Sequence, residues 1–375
     1  MSILFTPGRL GALEVPNRFV RSATYDGGAQ RGGQVSDWQV ELYDALARGG
    51  VGLIVSGIFY VTEAGQISPT QNSLADDSFI PGLARLAEVV HKAGAKLAVQ
   101  LFHGGREVFG WQNHLGRAAL GPTSLPKGQD PYFAGTCQAM SEEEIAETVA
   151  AFGQAARRAQ EAGCDAVQLH AAHAYLFSQF LSPFCNQRTD DWGGGLEGRL
   201  RLHLETGRAM RQAVGLDYPL FIKLGLADGF SGGLAMAEGL EAAARLAAAG
   251  YEAIEVSQGL RGVDYTQSEF RPQIVKRQRE AYFRHWARQV KERVEVPVIM
   301  VGGLRSLDIM EEVIARGEAD FVSLSRPLIR EPDLVASWRA GEPRRPTCIS
   351  CNKCFEVLRK GKRVECLVGK KEEET

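Results

Sequence analysis

Apolar residues in this chain come in short unbroken runs separated by amphipathic stretches. Eight runs rich in β-branched residues read as buried strands: 19–24 (FVRSAT), 52–61 (GLIVSGIFYV), 96–103 (KLAVQLFH), 165–171 (DAVQLHA), 219–226 (PLFIKLGL), 252–259 (EAIEVSQG), 296–303 (VPVIMVGG) and 320–327 (DFVSLSRP). Runs apolar at consecutive positions belong to strands covered on both faces. Between them the period becomes helical, most clearly at 142–162, 196–214, 238–249, 281–293 and 306–316. Ser141 and Glu144 form a capping box ahead of the first of these. Gly94 and Gly163 stand where helices need a left-handed cap before the next strand. Strand–helix alternation repeated eight times predicts a parallel sheet covered by helices, which closes as an α/β (βα)8 TIM barrel. The alternative is an open doubly wound sheet, weakened because no Gly-x-Gly-x-x-Gly follows the first strand.

Two Gly/Pro-rich or irregular stretches interrupt the alternation, 104–140 after the third strand and 260–280 after the sixth. Both leave strands at their C-terminal ends, where barrels carry lids and binding loops. Past residue 341 the pattern stops. The expected organisation is a barrel over 1–341 and a cysteine-containing extension over 342–375, its last residues disordered.

Composition narrows the function classes. A 375-residue chain with 45% hydrophobic residues and a formal charge of −2 is ordinary for a globular protein. It lacks the basic excess of a general nucleic-acid binder. The basic stretches 271–279 and 359–363 read as solvated faces. The start has no signal-peptide pattern, and no apolar run is long enough to cross a bilayer. Seven cysteines, four of them clustered near the end, point to a reducing compartment and a cytoplasmic location.

The chemistry gathers at strand ends. His170 ends the fourth strand, and His173 and Tyr175 follow at once. The pair would either bind a metal or donate two hydrogen bonds to one substrate oxygen. Zinc would need a third ligand such as Asp228, and no strand offers a second histidine pair. Gln100, on the third strand, can donate to and accept from a heterocycle edge. Lys223 interrupts an apolar strand, so it needs an anionic or strongly accepting partner. Gly302-Gly303 and Ser325-Arg326 end strands seven and eight, where barrels build phosphate sites. Together these imply a flat, polar-rimmed ligand bearing a phosphate.

The chain resembles the old yellow enzyme family of FMN-dependent NADH:flavin oxidoreductases. The resemblance runs from Asn17 to about residue 340. It rests on Pro16-Asn17-Arg18, QLFHGGR (100–106), HAAHAYLFSQFLSP with NQRTDDWGG (170–194), VGGLRS (301–306) and SRPLIREPDL (325–334). It implies an FMN across the barrel mouth. Gln100 would meet its pyrimidine edge and Lys223 its N1/C2 side. Ser22, Ala23 and Thr24 would line it, and Gly302, Gly303, Ser325 and Arg326 would hold its phosphate. His170 and His173 would grip the substrate carbonyl, Tyr25 would lie beside the substrate, and Tyr175 would donate a proton. The sequence departs from the family at Lys223, usually Arg; at GGGLEGR (193–199); at Ser325, usually Gly; and near Tyr25, where relatives carry a smaller residue.

Cys348-x2-Cys351-x2-Cys354, then eleven residues, then Cys366, is a thiolate pattern for iron–sulfur or zinc. It resembles the [4Fe–4S] segment of trimethylamine dehydrogenase and 2,4-dienoyl-CoA reductase, larger members of the same superfamily. The sequence ends nine residues after Cys366, so a cluster would be expected to exchange electrons with a separate protein. The reading is an FMN-dependent NAD(P)H oxidoreductase, an ene-reductase for α,β-unsaturated carbonyl compounds. It has no nucleic-acid or membrane partner and is compatible with a homo-oligomer. The alternatives are an electron-transfer catalytic subunit, an amine dehydrogenase, and a flavin-free metal hydrolase. The sequence does not choose between NADH and NADPH.

Overall fold

Each of the eight apolar runs forms a strand in the computed structural model, which describes residues 2–109, 118–125, 135–262 and 268–369. They are β1 (Phe19–Arg21), β2 (Leu53–Tyr60), β3 (Lys96–Phe102), β4 (Ala166–Ala171), β5 (Leu220–Gly225), β6 (Ala253–Ser257), β7 (Val298–Met300) and β8 (Phe321–Leu324). Neighbours pair in parallel from β2 round to β8. β8 then pairs with β1 through Val322↔Phe19, and β1 with β2 through Val20↔Leu53. No edge is left among the eight, so the sheet is a closed barrel and the open alternative is set aside.

The helices follow the amphipathic stretches. Glu142–Glu161 starts from the Ser141/Glu144 capping box, and Gly94 and Gly163 take φ of 83° and 80° after their helices. The stretch read as helical over 281–293 begins later, at Arg284–Lys291. Ala281 has φ of 52°, which a right-handed helix cannot include. The sequence reading did not single out helix Asp37–Arg48, which carries its own capping box from Ser36 and Gln39.

Alternate residues of each strand point into the barrel and stack in layers. The lowest layer is apolar: Val20, Val55, Ala98, Ala166, Phe221, Ala253, Ile299 and Phe321. An antiparallel hairpin, Gly8–Leu10 with Leu13–Val15, closes this end, and Leu10 and Val15 join the same cluster. Two residues further along, six of the eight strands carry polar residues, Ser22, Gln100, Gln168, Lys223, Glu255 and Ser323, and beyond them lies the open mouth. The bottom is therefore sealed and dry, and the chemistry is confined to the C-terminal end.

The cysteine extension is no loose tail over its described part. Helix Lys353–Arg359 buries Val357 and Leu358, and Val364 N–H donates to the Asp26 carbonyl at 2.7 Å. Residues 370–375, expected to be disordered, lie outside the described residues, as do 110–117, 126–134 and 263–267 of the two long loops. None of the helices among the described residues is long and apolar enough to cross a membrane.

Candidate active site

The polar layer forms the floor of the mouth. Gln100 Nε2 donates to Gln168 Oε1 at 2.7 Å, and Gln168 Nε2 donates to Glu255 Oε2 at 3.0 Å. Lys223 Nζ donates to Glu255 Oε1 at 3.0 Å and to Ser22 Oγ at 2.8 Å, and Ser22 Oγ donates to the same carboxylate oxygen at 2.7 Å. Glu255 is wholly buried, so Lys223 has found the anionic partner its position demanded. An ammonium has three donors and a side-chain amide two acceptor sites. One Nζ–H and the oxygen of Gln100 are thereby left for a ligand above. Sequence reasoning missed Gln168 and Glu255. The structural register brings them to the site: Gln168 pairs with Gln100 and Glu255 with Lys223.

Above one side of this floor stand His170, His173 and Tyr175. Their rings are edge-on to one another: His170 lies 4.9 Å from His173 at 84° and 5.0 Å from Tyr175 at 89°, centroid to centroid. Phe102 backs Tyr175 at 4.5 Å. Ala172 N–H donates to His170 Nδ1 at 3.3 Å, which leaves Nε2 as the N–H of the neutral ring. His173 Nε2 meets Ser257 Oγ at 2.7 Å, which fixes the plane of that ring. His173 and Ala174 hold φ of 62° and 68°. Two successive non-glycine residues in the left-handed region carry strain of roughly 1–3 kcal/mol each, as at sites where a side chain must be aimed.

Burial sets the protonation states. It drives His170 well below the ordinary imidazole range, with His173 and Lys223 adding repulsion, and does the same to His173. It pushes the Tyr175 phenol up to about 12, against an opposing effect of the Arg261 guanidinium. At neutral pH both imidazoles are uncharged and the phenol keeps its proton. Arg261, absent from the sequence reading, pairs with Glu269 at 2.7 Å at the rim.

The opposite end carries a glycine turn and an arginine. Gly302 and Gly303 take φ of 120° and 72°, and a Cβ on Gly303 would come within 2.8 Å of the Tyr282 ring. No other residue fits this turn. Ser325 Oγ lies 2.9 Å from Thr24 Oγ1, and Arg326 reaches the same cleft. Ser22, Ala23, Thr24, Tyr25, Gln100, His170, His173, Tyr175, Lys223, Gly302, Gly303, Ser325 and Arg326 all line this one cleft. Tyr25 Oη is 3.0 Å from Thr70 Oγ1. By contrast Asn186 and Arg188 are structural: Asn186 Nδ2 donates to the Phe180 and Trp192 carbonyls, and Arg188 Nη1 to those of Pro122 and Met140.

Cys348, Cys351, Cys354 and Cys366 line one small pocket beside the cleft, and Cys354 faces both. Burial raises the Cys354 thiol to about 11; Arg326 opposes this and the three other thiols reinforce it. Among the described residues no three His, Cys, Asp or Glu side chains converge on a single-ion position. A tetrahedral zinc would draw its sulfurs to within about 4 Å of each other. Four cysteines spread around one pocket suit a polynuclear iron–sulfur group.

The sequence profile of the NADH:flavin oxidoreductase / NADH oxidase family matches residues 3–344. The chain is 36% identical over 375 residues to a metal reductase of Desulforamulus reducens, covering 98% of this chain and 54% of that protein. It is 36% identical over 354 residues to an NADH oxidase of Thermoanaerobacter brockii, covering 93% and 52%. The chain thus spans about half the length of these relatives. The solved 2-naphthoyl-CoA reductase–2-naphthoyl-CoA complex superposes with a TM-score of 0.89 at 30% identity, covering 98% of this chain and 57% of that one.

Proposed function

The chain belongs to the NADH:flavin oxidoreductase / NADH oxidase family, and within it we propose an FMN-dependent NAD(P)H oxidoreductase that reduces the C=C bond of α,β-unsaturated carbonyl compounds. Residues 1–341 form the flavin-binding barrel and 342–375 the thiol-bearing extension. The observation that carries this reading is the arrangement of His170, His173 and Tyr175 over the Gln100–Gln168–Glu255–Lys223 floor. FMN fits the donor set. The Gln100 oxygen and the remaining Lys223 N–H would meet the ring, Ser22, Ala23 and Thr24 would line it, and Gly302, Gly303, Ser325 and Arg326 would take the phosphate. When bound, FMN supplies the two-electron chemistry, drawing its electrons from NAD(P)H.

The chain's own residues do the rest. His170 and His173 offer ring N–H groups to one carbonyl oxygen, where negative charge grows as the β carbon is reduced. Two fixed donors in a dry site act there as an oxyanion hole. Neutral imidazoles suit this task, because they stabilise charge without surrendering a proton to it. Tyr175 Oη–H then delivers the proton to the α carbon. The Lys223–Glu255 pair is compensated, so the floor orients a ring without a large net charge.

A second reading draws on the four thiols, with Cys354 facing the cleft. They would hold a [4Fe–4S] group that exchanges electrons with a partner protein. One experiment separates the two. Loaded protein is incubated with NADPH or NADH and cyclohexenone, and products are resolved by chromatography. Cyclohexanone formed without any added protein supports the ene-reductase. Turnover only with an added electron-transfer protein supports the second reading, and conversion to the allylic alcohol defeats the proposed site geometry.

A further inference from the structure

Two arginines that line the cleft, Arg305 and Arg326, and Arg330 four residues beyond Arg326 reach across to the cysteine segment. Arg305, just past Gly303, donates to the carbonyls of Pro346 (2.6 Å) and Cys348. Arg326 Nη1 donates to the Arg271 carbonyl at 2.9 Å and to Asn352 Oδ1 at 2.6 Å. Arg330 donates to Thr347 Oγ1 and the Val368 carbonyl at 2.6 Å each, and to Cys366 Sγ at 3.4 Å. Asn352 is the junction. It lies between Cys351 and Cys354, holds φ of 63°, and its Nδ2 donates to the Phe270 carbonyl at 2.8 Å. One amide thus joins a barrel loop, the arginine at the phosphate end and the rim of the thiol pocket, which Asn352 and Arg326 both line.

A guanidinium on a flexible stem binds a phosphate well only if its fork is held in place beforehand. Asn352 Oδ1 does this by taking one N–H of Arg326. The position of Asn352 depends in turn on a left-handed backbone, shared with Ser350 at φ 53°, on both sides of Cys351. A group bound by all four thiols would clamp that backbone. With the pocket empty, the turn keeps its protein hydrogen bonds, among them Gln273 N–H to the Ser350 carbonyl at 2.9 Å, but loses the clamp on its thiols.

We infer that Asn352 is a positioning residue that sets Arg326 for the flavin phosphate, and that it thereby couples filling of the four-thiol pocket to retention of FMN. This rests on the reading that Arg326 receives that phosphate. The coupling is reciprocal, since binding free energies are linked: FMN helps to hold the metal group as the metal group helps to hold FMN.

The test is fluorescence titration of flavin-free protein with FMN and with riboflavin, which lacks the phosphate. It is run with the thiol pocket reconstituted with iron and sulfide, and with the pocket emptied by chelator under reducing, oxygen-free conditions. Asn352→Gly keeps the left-handed backbone and removes only the side chain. It is expected to weaken FMN by on the order of tenfold and to leave riboflavin unchanged. Emptying the pocket should weaken FMN similarly in the wild type and add little in Asn352→Gly. Equal loss of FMN and riboflavin affinity would mean a merely structural role and overturn the inference. So would wild-type FMN affinity in Asn352→Gly when Arg326→Ala has lost it. If Arg326→Ala itself leaves FMN affinity intact, the assignment of the phosphate end fails, and the inference with it. A wild-type FMN affinity indifferent to iron overturns the coupling and leaves Asn352→Gly to decide the positioning role.

Discussion

At the scale of single residues the account turns on groups whose environment decides their job. Tyr175 is buried and its phenol is pushed up to about 12, so it holds its proton throughout the neutral range. Tyr175→Phe keeps the ring against Phe102 and removes only the acid. It is expected to slow enone reduction by roughly 10²–10⁴-fold. Flavin bleaching by NAD(P)H should persist, which stopped-flow absorbance separates from the second half-reaction. His170→Ala removes one oxyanion donor, and a loss of roughly 10²–10³-fold in kcat is expected. Lys223→Met has a different signature. It leaves the Glu255 carboxylate buried without its cation, so a destabilisation of about 3–5 kcal/mol is expected in urea denaturation.

At the scale of elements, the barrel depends on its closed bottom. Leu10 is wholly buried in the hairpin that meets Val20, Phe221 and Phe321. Leu10→Ala should cost about 2–5 kcal/mol in chemical denaturation while FMN affinity stays unchanged, because the cavity opens away from the mouth. The eight strands were legible because buried parallel strands are apolar at nearly every position, and β2 is buried along its whole length. His170, His173 and Tyr175 were legible because three polar rings at one strand end stand out against that background. The floor was legible in part. Gln100 and Lys223 stood out as polar residues in apolar strands, but Glu255 in EAIEVSQG looks like the solvent side of a half-buried strand, and only its pairing with the neighbouring strand places it beside Lys223. The hairpin is too short to show a period. The cysteine extension carries almost no apolar pattern, and it is held by arginines donating to its carbonyls. Such bonds leave no trace in the residue types of the segment they bind.

At the scale of the whole molecule, buried neutral histidines make stability depend on pH. Burial lowers His103 to about 4 and His203 to about 3, and holds His170 and His173 well below their ordinary value. In the unfolded chain each takes up a proton near 6.5. Below that pH the unfolded state binds more protons, so stability present above about 6.5 is lost as pH falls towards 4 and below. Burial raises Asp26 to about 6 and also raises Asp228, and these two carboxylates oppose the trend over the same window. Four imidazoles outweigh them, and the urea midpoint at pH 5 should lie below that at pH 7.5. The measurement that tests the central claim most directly is an oxygen-free absorbance titration of the FMN-loaded protein. NADPH or NADH is added until the flavin band is lost, and cyclohexenone is then added alone. The account predicts that the band returns with one equivalent of cyclohexanone formed, and that His170→Ala slows only this second step. A flavin that bleaches but is never reoxidised by the enone would contradict the assignment of His170, His173 and Tyr175.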